Sequence, residues 1–415
     1  MKKFKVLLMF LILVLASCGT NTPMDNKKLE NASQVEFNEK DYMKIVSPNN
    51  ELGFDLLAKA PIDSEGNKLI SPISLFMAMA MVYNGAESHT KKELAKVLHI
   101  EELYDEDLNK ANVSLMNLLN RDAENMQLTI ANSIWLNEQY QFRERFTTNS
   151  KDYFNAEINQ FNVHDSNSPK MINNWINQKT DGKIPQIIGG ELSPDILTIL
   201  INAIYFKGYW TYPFDSSLTE ERPFNLQDSA VKKVPMMRLH EELKYLENEL
   251  FQAISLPYSD EGMSMKIFLP KENISIDEFE EELNLSNWQK WLREFYDTEG
   301  TILLPKFKME QAIEFKGTLE ALGVVSAFND HADFSGIIQE DSGIAISSVK
   351  QKTFIEVDEE GTEAAATTSV EIHTTSMQPM NKPFYMEVNR PFFISIVDET
   401  SGAILFMGTI INPKE

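Results

Sequence analysis

Glu359-Glu360-Gly361-Thr362-Glu363-Ala364-Ala365-Ala366-Thr367-Thr368-Ser369-Val370-Glu371-Ile372 decides how the rest of the chain is read. Taken with period two from Thr362, one set is Thr362, Ala364, Ala366, Thr368, Val370 and Ile372. The other is Glu363, Ala365, Thr367, Ser369, Glu371 and His373. The first set is small and then apolar, the second mostly polar, which is the alternation of a strand with one packed face and one wet face. The tiny side chains of its first half suit a strand that slides between existing neighbours. The competing reading is the start of an alanine-rich helix, since Glu-Ala-Ala-Ala propagates helix well. Against it, Thr367, Thr368 and Val370 are β-branched, and the alternation continues past the alanines.

Around this stretch lies a chain of 415 residues, long enough for one large domain or two ordinary ones, with enough apolar residues for a sizeable core. It carries 62 acidic against 38 basic residues, a formal charge of −24. That balance argues against nucleic acid as a partner, because phosphate binding needs clustered cations. Met1-Lys2-Lys3 and the apolar run Val6 to Ala16 are too short to span a bilayer but have the layout of a signal peptide. Leu15-Ala16-Ser17-Cys18 follows and is similar to a bacterial lipobox, and Cys18 is the sole cysteine. The expectation is a lipoprotein signal over 1–17, lipid attachment at Cys18, and a flexible polar tether over 18–40. A general secretory cleavage site with a chance cysteine is the rival. Loss of Lys2, Lys3 and Lys5 with the signal would deepen the charge to −27. With one thiol no intrachain disulfide forms, so stability rests on the core.

The body from 41 to 415 alternates helical and strand patterns without an internal repeat or an obvious linker. Tyr42 to Lys59, Leu75 to Tyr83, Phe142 to Phe154, Ser168 to Lys179, Ile276 to Phe295 and Glu314 to Leu322 read as helices. Pro72 suits a first helical position, and Thr90-Lys91-Lys92-Glu93 has the spacing of a capping box. Leu128 to Leu136, Met263 to Leu269, Thr301 to Met309, Gly343 to Val357, Ile394 to Val397 and Ile404 to Ile410 read as strands. Leu197 to Phe206 is apolar almost throughout, as a central strand covered on both faces must be. Helices early, strands late, and the two interleaved predict a single large α+β domain.

No motif of an enzyme stands out. His-Glu-x-x-His, Gly-x-Ser-x-Gly, a phosphate-cradling glycine loop and a nucleotide fingerprint are all missing from the sequence. The histidines His89, His99, His164, His240, His331 and His373 are scattered singly. His331-Ala332-Asp333 lacks a nucleophile motif beside it. The reading is a protein that is not an enzyme, with no metal and no cofactor.

Glu-Glu-Gly-Thr-Glu-Ala-Ala-Ala-Thr resembles the proximal hinge of the reactive-centre loop in inhibitory serpins. Asn389-Arg390-Pro391-Phe392-Phe393 and Phe406-Met407-Gly408 resemble the family's C-terminus. Further similar motifs follow in order. They are Asn67-x3-Ser71-Pro72-x-Ser74, Asn173-x-Trp175-Ile176-x2-Lys179-Thr180-x-Gly182-Lys183-Ile184, Leu200-x-Asn202-Ala203-x2-Phe206-Lys207-Gly208-x-Trp210-x3-Phe214, Leu304-Pro305-Lys306-Phe307, and Leu322-Gly323 through Asp333-Phe334-Ser335-Gly336. The resemblance runs from about Phe54 to Asn412.

The resemblance implies the serpin fold, with three β-sheets, surrounding helices and an exposed reactive-centre loop at about 359–380. It implies a suicide-substrate inhibitor of serine, and secondarily cysteine, proteases: the enzyme attacks the loop, forms an acyl-enzyme, and is carried along as the cut loop inserts into the main sheet. By match, the hinge is Glu359, Gly361, Thr362, Glu363, Ala364, Ala365 and Ala366. The polar cluster called the shutter is Ser71, Ser74, Asn202 and Gln351, with Gln351 where the family usually has histidine. The breach, where insertion starts, is Trp210, Lys306 and Glu359. The family's spacing from Gly361 places the reactive bond at Thr375–Ser376, with Thr374 and Met377 as rivals because the segment from Ser376 to Asn389 is a few residues longer than the family's usual pattern. The loop up to Thr375 has no Lys or Arg, so elastase-like enzymes are the first expected partners and chymotrypsin-like ones the second. The expected setting is a monomer on the bacterial cell envelope, held by its N-terminal lipid in the outer membrane on the periplasmic or surface face, or released extracellularly. The alternative is a non-inhibitory serpin acting as a binding or chaperone-like protein, against which the small, uncharged inward hinge residues argue.

Overall fold

A computed structural model describes residues 35–120, 126–259, 262–340, 343–362 and 383–414. The elements begin with α1 (Met43–Lys59), β1 (Lys68–Ile70), α2 (Pro72–Tyr83), α3 (Ser88–Val97), α4 (Asp105–Leu119), β2 (Met126–Asn137), α5 (Glu144–Phe154), β3 (Glu157–Phe161) and α6 (Ser168–Lys179). Then come β4 (Thr198–Tyr209), β5 (Glu220–Asn225), β6 (Val231–Glu247), β7 (Phe251–Pro257), β8 (Met263–Pro270), α7 (Ile276–Glu282) and α8 (Leu285–Glu294). The chain continues through β9 (Tyr296–Pro305), β10 (Phe307–Glu314), α9 (Lys316–Leu322), β11 (Ser348–Val357), β12 (Gly361–Thr362), β13 (Phe384–Glu387), β14 (Phe392–Asp398) and β15 (Ile404–Ile410).

The strands form a six-stranded sheet ordered β10-β11-β12-β4-β2-β3 and a nine-stranded one ordered β1-β15-β14-β8-β7-β6-β9-β13, with β5 on β6. Three sheets were expected. Two of them are joined here, because β6 is long enough to pair with β5 and β9 over most of its length and with β7 at its end. β4 has the two-sided burial its sequence predicts. Leu200, Ile204 and Phe206 join the main core, while Ile199, Ile201, Ala203 and Tyr205 pack with Ile172, Trp175 and Ile176 of α6 on the other face. α2 is buried at every position, consistent with its apolar circumference, and Ser71 caps it by accepting from the Ser74 amide.

Several local expectations are corrected. The helix over Ile276 to Phe295 is two helices broken at Leu283-Asn284, where Asn284 caps the second by accepting from the Asn287 amide. The strand over Thr301 to Met309 is split at Lys306, after Pro305. The stretch from Gly343 becomes a strand only at Ser348. The capping box at Thr90–Glu93 does not form: the helix already starts at Ser88. The Glu93 carboxylate instead accepts from the amides of Val325 (2.9 Å) and Ser326 (2.7 Å), and Thr90 Oγ1 meets Ser326 Oγ at 2.9 Å. A capping box does form at Ser275 and Glu278.

His99 joins α1 to the end of α3. It sits at φ 55°, with Nε2 2.8 Å from Asp55 and Nδ1 3.8 Å from Glu51. The Asp55 hydrogen bond raises its pKa, against the pull of burial. The stabilisation is therefore complete below the ordinary histidine value near 6.5 and fades as pH rises through the higher folded value. Both carboxylates are about half exposed, so the pair contributes only about 0.5–1 kcal/mol. His99→Asn keeps a residue that tolerates this backbone. Urea unfolding should find it less stable than the parent at pH 5.5 and equal to it at pH 9.

Candidate functional site

The hinge begins at a tight turn. Asp358 N–H donates to Gly361 O (3.0 Å), and the Asp358 carboxylate accepts from the amides of Glu360 (2.9 Å) and Gly361 (3.2 Å). The turn sends the chain from β11 back into β12, which lies between β11 and β4 and runs antiparallel to both. Val357 pairs with Thr362, Gly361 with Tyr209, and Thr362 with Gly208. Glycine is required at 361, since a Cβ there would meet Gly208 O at 2.1 Å and Tyr209 Cα at 2.7 Å. Thr362 is fully buried, with Oγ1 2.7 Å from the Tyr258 hydroxyl.

Aromatic rings surround that contact. Trp210 stacks on Tyr258 with centroids 4.7 Å apart, and Phe206 meets Tyr258 edge-on at 4.9 Å. Burial pushes the Tyr258 phenol well up, opposed by the Thr362 hydrogen bond. The carbonyls of the turn are all occupied: Asp358 O accepts from Trp210 Nε1 (3.0 Å), Glu360 O from Trp210 N (2.8 Å) and Glu359 O from Phe214 N (2.8 Å). Lys306 Nζ lies 2.9 Å from Glu359 Oε2, and Thr219 Oγ1 donates to Glu359 Oε1 at 2.8 Å. Burial opposes the Glu359 charge, but the bonds from Lys306 and Thr219 outweigh it and hold the carboxyl below its usual range. Asp358 and Glu360 move the other way, raised first by burial. Asp358 and Glu359 thus share the Lys306 ammonium unequally, while the cation that acts on Glu360 is Lys207.

Below β12 the sheet is closed. β11 and β4 pair directly and in parallel over seven positions, from Ser348 opposite Ile199 to Phe354 opposite Tyr205. In the middle of this seam Gln351 lies opposite Asn202, which in turn lies opposite Asn132 of β2. These amides meet the start of α2. Gln351 Oε1 accepts from Ser71 N (2.9 Å), and its Nε2 reaches Ser71 O (2.9 Å), Ser74 Oγ (3.1 Å) and Asn202 Oδ1 (3.0 Å). Ser74 Oγ donates to Asn202 Oδ1 at 2.5 Å, and Asn202 Nδ2 donates to Ser74 O (3.0 Å) and Asn132 Oδ1 (2.6 Å). Ser71 Oγ donates to Leu405 O of β15 at 2.7 Å. All five side chains are buried. The network ties the seam of one sheet, through the start of α2, to the other sheet.

The structure therefore brings Ser71, Ser74, Asn202 and Gln351 into one cluster, and Trp210, Lys306, Glu359, Gly361 and Thr362 into another. Cys18, Glu363, Ala364, Ala365, Ala366, Thr374, Thr375, Ser376 and Met377 lie outside the described residues. Sequence reasoning missed Asn132 and Tyr258. Asn132 is visible only once the register opposite Asn202 is known, and Tyr258 only once the chain brings it 104 positions back to Thr362. Among the described residues no group of three or more His, Cys, Asp or Glu side chains is placed to hold a metal ion, and no helix is long and apolar enough to cross a membrane.

A family model described as serpin (serine protease inhibitor) matches residues 47–413. A serpin-like protein of Methanosarcina acetivorans is 35% identical over 378 residues, covering 89% of this chain and 86% of that protein. The corticosteroid-binding globulin of Saimiri sciureus is 31% identical over 379 residues, covering 89% and 90%. Among solved structures, the native state of the thermophilic serpin tengpin is similar at a TM-score of 0.82, with 35% identity over 92% of this chain and 96% of that one.

Proposed function

The chain belongs to the serpin family, and on that premise we propose that it is a suicide-substrate inhibitor of serine proteases, elastase-like enzymes first. Members of this family are typically inhibitors rather than catalysts. The observation that carries the reading is the seated hinge. Gly361 and Thr362 already occupy the top of a gap between β11 and β4, and the seam directly below is closed by direct pairing. The sheet is thus closed below Thr362, with an entry point formed above the seam. Residues 364, 366 and 368, which share a face with Thr362, are Ala, Ala and Thr, side chains small enough to follow it.

In this reading the protease attacks at Thr375–Ser376, with Thr374 and Met377 as alternative sites. The freed strand parts β11 from β4, passes the Gln351–Asn202 cluster, and drags the acyl-enzyme with it. Trp210, Lys306 and Glu359 define where parting starts, and Ser71, Ser74, Asn202 and Gln351 hold the seam shut. Cys18 carries a lipid that holds the inhibitor on the cell envelope, with 18–40 as tether. Cysteine proteases are second targets.

The test is to mix the soluble part, starting after Cys18, with elastase-like, chymotrypsin-like and trypsin-like enzymes. The mixtures are run on denaturing gels, with mass spectrometry of the released peptide. An SDS-stable adduct with the elastase-like enzyme and a peptide beginning at Ser376 are expected. Clean cleavage without adduct from every enzyme would favour the non-inhibitory reading, which the similarity to a protein named as a binding globulin keeps in view.

A further inference from the structure

β13 is the first described strand after the reactive loop and forms the outer edge of the larger sheet, beside β9. Between this edge and the turn that follows β8 lies an open cavity of about 450 Å³, lined in part by Lys271, Glu272, Tyr385, Glu387 and Arg390. Two of its four charged lining residues are ion-paired. Lys271 pairs with Glu247, and Glu387 pairs with Arg222 at 3.2 Å and accepts from the Tyr385 hydroxyl at 3.1 Å.

Arg390 is the positive one that is not. Its Nε donates to Pro270 O (2.9 Å) and its Nη1 to Asn389 Oδ1 (3.1 Å), and among the described residues it has no ion-pair partner. A guanidinium has five N–H donors, so three are left. Burial pulls the group below its ordinary value, with only the more distant Glu272 opposing. A half-buried cation with free donors in a fixed fork is built to meet a carboxylate or another oxyanion two bonds at a time.

We propose that this cavity is a secondary docking site that receives an acidic side chain of the protease attacking the loop, with Arg390 as the forked partner and Lys271 as the second positive charge. The proposal rests on the inhibitory reading. Tyr385 is nine residues from Ser376, at most ~32 Å along an extended chain, so an enzyme seated on the reactive bond is within reach of the cavity. The charge of −24 draws a basic enzyme from a distance. The cavity acts at contact and fixes how that enzyme turns toward the loop. Glu272 is exposed on the rim and works against the incoming carboxylate.

The test compares the parent with Lys271→Gln and Glu272→Gln in rate of association with a protease of net positive charge, at low and high salt. Docking predicts that Lys271→Gln slows association about 3–10-fold at low salt and Glu272→Gln speeds it about 2–5-fold, with both effects gone at high salt. Long-range steering alone predicts the reverse, since Lys271→Gln makes the inhibitor more negative. Unchanged rates for either variant, or the reversed signs, overturn the proposal. The number of inhibitor molecules consumed per protease should stay constant, because insertion is untouched. If the parent forms no adduct, the inhibitory reading fails, and docking is then read from kcat/KM for loop cleavage in the same variants; a loop that no enzyme cleaves overturns both. Arg390→Gln is expected to slow association further, but the test does not depend on it, because Arg390 also holds Pro270 and Asn389.

Discussion

Thr362→Arg is expected to turn the inhibitor into a substrate: the loop is still cut, but the SDS-stable adduct disappears. The position leaves no room for the longer side chain. Thr362 is fully buried against Tyr258, and Tyr258 is pinned by Trp210 on one side and Phe206 on the other. An arginine could be accommodated only by lifting β12 out of the sheet, which frees the chain at the one place where entry is already prepared. Reinserting it would bury an unpaired charge, at a cost of several kcal/mol. Insertion competes with deacylation, and each 1.4 kcal/mol changes that contest about tenfold, so the adduct yield should fall by about two orders of magnitude or more. Stoichiometric titration against an elastase-like enzyme, with the peptide mass as proof of cleavage, reads the effect directly. A mutant that still forms the adduct at full yield would sink the insertion mechanism at this hinge. Thr362→Val is the milder companion, removing only the partner of the Tyr258 hydroxyl, and should lose about 1–3 kcal/mol of stability with inhibition largely kept.

Gln351→Leu is expected to have the second-largest effect, on stability and on the lifetime of the active form. Leucine is close in size but strands the Ser71 amide and removes one hydrogen bond each from Ser74 Oγ and Asn202 Oδ1, which keep their bond to each other; all are buried. Leaving such groups unmet costs about 1–3 kcal/mol for the worst of them, and the cluster as a whole loses more than any single bond. The loss falls on the seam itself, because Gln351 pairs with Asn202 across it. The variant should therefore lower the urea midpoint and, on warming, pass into an uncut form with the loop taken up and inhibition lost. Residual inhibitory activity after timed incubation measures this; a variant as durable as the parent would show that the cluster does not hold the seam. Glutamine does not titrate, so opening of the parent should be indifferent to pH between 6 and 8 on account of this residue, whereas Gln351→His should make it pH-dependent.

The hinge and the seam were legible in the sequence to different depths. Period-two alternation from Thr362 gave the buried face correctly at the one position of that face that is described. The apolar run of β4 predicted burial on both sides, because a strand with no polar face has nowhere else to go. Family likeness placed Ser71, Ser74, Asn202 and Gln351 together, but not Asn132, whose role depends on lying opposite Asn202. Nor did it place Tyr258, because nothing local in Leu256-Pro257-Tyr258-Ser259 marks its ring as the floor beneath the hinge. The Thr90–Glu93 spacing failed for the opposite reason: a correct local pattern was outcompeted when the two amides near Ser326 offered Glu93 better partners.

The direction of the strands at the seam has a further consequence. β10 and β11 run antiparallel, as do β4 and β2, so from β10 to β2 the strand direction alternates at every step except where β11 meets β4. A strand that follows Gly361 and Thr362 inward runs opposite to both neighbours. Its arrival removes one slanted, weaker ladder and creates two perpendicular ones, leaving β10 through β2 with uniformly alternating polarity. Withdrawal would have to break both new ladders to recover the single old one. Under the proposed inhibitory mechanism, the like-directed pair at the centre of the sheet would make the change a one-way step, and each molecule good for a single use.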